Sequence, residues 1–169
     1  MNSIKNLVAV AVATLFCSPV LADVKVEFLE GAPKDRFVLT NAGSCGLEDM
    51  TITLDLSTSA SGVIFDVTGS VAGVEVFRPF EIVAGENYVG AMPAVSVGDR
   101  SVTLQLDGLP AGESVALTLD VDDTRGSRGI TVSDSELRGA TASVQTASWT
   151  ASEAFGETAT LRVPLPTCS

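Results

Sequence analysis

Five carboxylates crowd one stretch of this chain. Asp120, Asp122 and Asp123 fall in Leu119-Asp-Val-Asp-Asp-Thr124, and Asp134 and Glu136 follow the Arg125-Gly-Ser-Arg128-Gly129 loop. Residues two apart on a strand share a face, so Asp120 and Asp122 point the same way. If the chain returns as a hairpin, all five acids meet at one edge. Calcium takes six to eight oxygens and tolerates irregular geometry, so it is the candidate cofactor for such a cluster. An EF-hand is excluded. With Asp120, Asp122 and Thr124 at its first, third and fifth positions, Arg125 stands where glycine is needed and Thr131 where glutamate is needed. The competing reading is that Arg125 and Arg128 neutralise the acids and the edge is a solvated surface.

Other chemistries find little support. The chain has no histidine, which closes Ser-His-Asp and Cys-His catalysis. Paired carboxylates of the glycosidase kind need one raised-pKa acid in a cleft, and nothing in the sequence singles one out. No glycine-rich phosphate loop follows a strand and opens a helix. The expectation is a non-catalytic protein. Tyr88 and Trp149 are the only Tyr and Trp. Each is a candidate to stack on a sugar ring, or to fill the core. Arg78-Pro-Phe80, within Val74-Glu-Val-Phe-Arg-Pro-Phe-Glu81, is a compact apolar segment that either presents a partner surface near a sheet edge or is buried.

The first 22 of the 169 residues read as an export signal. Lys5 precedes an apolar run from Leu7 to Phe16, and Val20-Leu21-Ala22 supplies small residues before a cut ahead of Asp23. The run is too short to span a bilayer. Cys17 follows the bulky Phe16, so it reads as part of the discarded signal rather than as a lipid attachment site. The expected mature chain, 23–169, suits a single domain. It carries 9 bases against 21 acids. Such a charge repels nucleic acid and anionic lipid and suits a soluble exported protein. Cys45 and Cys168 remain, and two thiols in an oxidising compartment argue for one disulfide. It would tie the chain's end to an early loop and stabilise by up to about 4–5 kcal/mol in the chain-entropy model. Two cysteines without histidine make a poor zinc site.

Alternation of period two runs through most of the mature chain. Val24, Val26 and Phe28 form one apolar set, and Met50, Ile52, Leu54 and Leu56 another. Val102, Leu104 and Leu106, then Val115, Leu117, Leu119 and Val121, then Ala159, Leu161, Val163 and Leu165 continue it. Each set predicts a strand with one buried and one wet face. Breakers at 31–35, 41–45, 69–73, 97–99 and 109–112 separate the sets. Leu47 to Met50 reads as a helical turn or a loop. Pro79 and Pro93 keep 71–95 out of central strands except at ends and edges. The stretch 143–158 reads as a strand or a packed loop. The predicted fold is all-β, an antiparallel two-sheet sandwich of Ig-like or jelly-roll-like form.

Several segments in this order resemble a group of small secreted bacterial proteins labelled aggregation factor core protein. They are Ala32-Pro-Lys-Asp-Arg-Phe37, Thr40-Asn-Ala-Gly-Ser-Cys45, Gly62-Val-Ile-Phe-Asp66, Gly73-Val-Glu-Val-Phe77 with Pro79-Phe80-Glu81, Leu119-Asp-Val-Asp-Asp-Thr124 and Ile130-Thr-Val-Ser133. They cover most of 32–140 and hold no catalytic motif. The label comes from sponge adhesion factors, whose assembly depends on calcium and glycans. The resemblance therefore implies a surface or matrix role. The function expected is an exported adhesion or interaction module, secreted, periplasmic or on the cell surface, with a protein or glycan partner. The alternative is a carbohydrate-binding or carbohydrate-acting protein. Neither a nucleic-acid partner nor a membrane span is expected.

Overall fold

The alternating segments become strands in a computed structural model, which describes residues 22–71, 74–125 and 132–166, with backbone alone at 68–77. Thirteen strands run in order: β1 (Ala22–Leu29), β2 (Asp35–Asn41), β3 (Leu47–Asp55), β4 (Ile64–Asp66), β5 (Thr68–Val71), β6 (Val74–Phe77), β7 (Glu81–Ala84), β8 (Val89–Ala91), β9 (Ser101–Leu109), β10 (Ser114–Asp122), β11 (Thr141–Gln145), β12 (Thr150–Ala154) and β13 (Thr160–Leu165). Among the described residues the only helices are two 3-10 turns, Glu86–Tyr88 and Asp134–Glu136. None is long and apolar enough to cross a membrane.

Two antiparallel sheets enclose one core. The first has the order β13-β1-β2-β10-β4, with β7 also paired to β10. The second has the order β12-β11-β3-β9-β8. The inward sets predicted by alternation meet between them: Val24, Val26 and Leu117 from one sheet, Ile52, Leu54 and Leu104 from the other, all fully buried. Phe37 of β2 and Val144 of β11, which belong to no predicted set, are fully buried with them. Phe28 and Phe37 are register partners, with ring centroids 5.1 Å apart. The rings are tilted 53° to one another, and this aromatic contact adds to the area they bury.

The structure settles the ambiguous stretches. Leu47 to Met50 is neither helix nor loop but the start of β3, with Asp49 at φ 44°. Asp and Asn are among the residues that accept this backbone at small cost. The stretch 143–158 contains most of a hairpin, β11 and β12, closed by Thr146 N–H donating to Trp149 O.

β10 departs from the expected pattern of one wet face. Its odd positions Val115 to Val121 face the core, yet Ala116, Thr118 and Asp120 on the other side are buried too. β10 is hydrogen-bonded on both edges, to β2 on one and to β7 and β4 on the other. The chain leading into β7 closes over it, with Lys34 Nζ donating to Pro79 O at 2.9 Å and pairing with Glu81.

The second sheet has the opposite character. Its outer face carries aligned rows: Gln105, Thr51, Gln145 and Thr150 in one, Thr103, Thr53, Ser143 and Ser152 in the next. The Thr53 and Thr103 hydroxyls hydrogen-bond at 3.0 Å. Not one of these eight residues is charged.

Candidate functional site

The outward positions of β10 build the site. Asp120 pairs with Asp66 of β4 in the strand register, and Asp122 follows two residues on along the same face. Each of the three offers a carboxylate oxygen, and these oxygens all lie within 4.8 Å of one another. Asp66 was not among the acids the sequence brought forward. It comes from a three-residue strand too short to show alternation, and only pairing reveals it.

Charge repulsion and burial shape the titration of this edge. Burial, followed by the charges of Asp120 and Asp66, pushes Asp122 up to about 6. Burial also raises Asp120, against the pull of Arg78. Arg78 forms an ion pair with Asp120. The reading that competes with calcium has Arg125 and Arg128 neutralise the acids. Arg125 instead reaches towards Ala60 O at 3.5 Å, and Arg128 lies outside the described residues. Behind the trio, Asp35 is buried and accepts hydrogen bonds from the Gly31 and Val121 amides, both at 3.0 Å. Burial outweighs those two donors and pushes Asp35 up to about 6.

The other expected acids lie to one side. The chain does not bring Asp134 and Glu136 back as a strand against β10; they form a 3-10 turn. Glu136 accepts from the amide and hydroxyl of Ser133, both at 2.7 Å, which holds its carboxyl below the ordinary range. This is a capping box, a local device that uses the carboxylate for backbone satisfaction. The Asp123 and Ser61 side chains also reach Glu136. Asp134 is exposed. So Asp120 and Asp122 join Asp66, Asp123 joins Glu136, and Asp134 stands apart from the trio. Among the described residues, the trio is the group able to hold a metal. Its hard oxygens suit calcium or magnesium, though three donors leave most of calcium's shell to other oxygens.

Next to the trio the chain leaves the sheet. β5 and β6 pair with each other and, among the described residues, with neither sheet. Arg78 sits at the root of this hairpin, its amide donating to Val67 O at 3.3 Å. Beside the root is an apolar groove of ≈ 390 Å³ lined by Val67, Pro79, Phe80, Met92, Pro93 and Val95. Met92 is 55% exposed, and Val83 and Val97 are about as open. The Arg78-Pro-Phe80 segment thus lies at a sheet edge with Pro79 and Phe80 half-buried.

The two candidate stacking residues sit apart. Trp149 precedes β12 and Tyr88 precedes β8, the opposite edges of the second sheet. They therefore do not share a platform. Both are half-buried against the core. The Trp149 indole nitrogen is buried and has no hydrogen-bond partner among the described residues. Tyr88 lines a hollow of ≈ 360 Å³. Cys45 packs against the core and is disulfide-bonded; Cys168 lies outside the described residues, as does the expected signal up to residue 21. No protein-family model, curated protein or solved structure matches the chain.

Proposed function

We propose that the chain is an exported, non-catalytic interaction module of the cell surface or extracellular matrix. Its frame is an Ig-like or jelly-roll-like sandwich released from a signal at 1–22 and closed by a Cys45–Cys168 disulfide. Its working edge is where β4, β7 and the β5–β6 hairpin meet. The observation that carries this reading is the hairpin that, among the described residues, joins neither sheet and is rooted beside an apolar groove. A two-stranded ribbon has unpaired backbone along both edges, the template on which another chain adds a strand. Its ten residues, Thr68 to Phe77, include one charge, Glu75, in a strongly acidic protein. The resemblance to aggregation factor core proteins favours the same role.

A divalent cation is a brace in this reading, not its basis. Bound at Asp66, Asp120 and Asp122, calcium would relieve their mutual repulsion and stiffen the hairpin root.

The test is binding of labelled mature protein to the envelope of the bacterium that makes it. A variant with 68–77 replaced by an Asn-Gly turn should lose that binding while keeping its thermal midpoint. Equal binding by both proteins would remove the hairpin from the account.

A further inference from the structure

The hollow at Tyr88 lies away from the hairpin edge, and its chemistry differs. Gly85 opens the turn that places Tyr88, at φ 71°. A Cβ at Gly85 would stand 2.4 Å from Ser114 O, so a side chain there is doubly disfavoured. The turn ends at β8, which pairs with β9. Tyr88, Leu109 and Pro110 give the hollow an apolar floor, and Glu48, Asn87 and Asp107 bring polar groups to it. Asp107 is seated by Gly90, where a Cβ would fall 2.5 Å from its Oδ1. Two residues before Asp107 on β9 is Gln105, the first member of the uncharged rows across the second sheet.

We propose that this hollow binds one ring of a neutral polysaccharide, with the rest of the polymer lying along the hydroxyl and amide rows. A pyranose has an apolar C–H face and a rim of hydroxyls. The tyrosine ring suits the face. Carboxylates accept strong hydrogen bonds from hydroxyls, and the Asn87 amide both donates and accepts. The volume lies in the range of small-molecule sites. Charge decides the class of polymer. Glu48, Asp107 and an overall charge of −11 repel uronate or sulfate polymers, and eight aligned side chains without charge have no use for them. The inference goes beyond the hairpin reading and stands without it.

Affinity electrophoresis tests it. The mature protein is run through gels containing a soluble β-glucan, a mannan or starch, with alginate as the anionic control. At least one neutral polymer should retard the protein, and alginate should not. Tyr88→Ala should weaken retardation about tenfold. Gly90→Ala displaces only the end of the Asp107 side chain, so it should weaken retardation with the thermal midpoint unchanged. The hairpin-replaced variant should be retarded like the parent. No retardation by any neutral polymer would overturn the proposal, as would undiminished retardation of both variants or equal retardation in alginate.

Discussion

Asp120 faces Asp66 directly across the β4–β10 register, and the Arg78 guanidinium closes on Asp120 from the root of the hairpin. Two carboxylates in one cross-strand pair repel each other. The neighbouring Asp122 adds to that repulsion. Such an edge tolerates a bound cation better than it tolerates its own charge.

Calcium should therefore raise the thermal midpoint. At about ten times its Kd it contributes about 1.4 kcal/mol. For a chain of this size that is a rise of about 3–6 °C. Scanning fluorimetry with calcium and then with chelator measures it. Asp66→Asn should abolish the rise. A midpoint indifferent to millimolar calcium would leave the edge without a metal.

Arg78 is predicted to matter through its charge rather than its bulk. Arg78→Met keeps most of the side chain's bulk but leaves Asp120, 7% exposed, without its cation. The expected loss is about 1–3 kcal/mol in urea unfolding at pH 7. The loss should shrink at low pH, where Asp120 becomes neutral. An equal loss at all pH values would mean that packing alone is at stake.

Asp35 gives a pH dependence of defined sign. In the native chain it holds its proton up to about pH 6, against a reference value of 3.8. Folding takes up a proton between those values. Stability from this group is full below about pH 4 and is lost as pH rises through about 6. Asp35→Asn should flatten that decline. It should also cost about 1–3 kcal/mol at low pH, because its amide nitrogen faces one of the two N–H donors. Urea midpoints between pH 4 and 7 check both, and an unchanged slope would assign the decline to other acids.

The long alternating runs made the core legible. Val24 to Phe28, Met50 to Leu56 and Val115 to Val121 bury the faces their spacing implied, because period two leaves one way to close. The trio was only half legible. Asp120 and Asp122 are two apart on one strand, a local fact. Asp66 and Arg78 arrive through pairing and through an excursion of the chain, and neither leaves a local signature. Asp134 and Glu136 looked near because they follow in sequence. A capping box claimed Glu136 instead. β10 misled for a similar reason: alternation cannot report that a segment distant in sequence covers the supposedly wet face.

The disulfide of Cys45 is predicted to run to Cys168, spanning a loop long enough to matter. Peptide mapping under non-reducing conditions should recover the two residues in one linked fragment. Reduction should cost about 2–5 kcal/mol. The Asn41 side chain donates to Cys45 O and Leu109 O at 2.7 and 2.8 Å, so the loop should stay anchored after reduction. Recovery of Cys45 linked to any other thiol would refute the pairing.

The most direct measurement is amide hydrogen exchange on the mature protein, free and bound to the envelope of its own cell. Slowed exchange concentrated at 64–84 and 91–97 is the predicted result. Exchange unchanged there on binding would contradict the assignment of the hairpin edge as the surface that works.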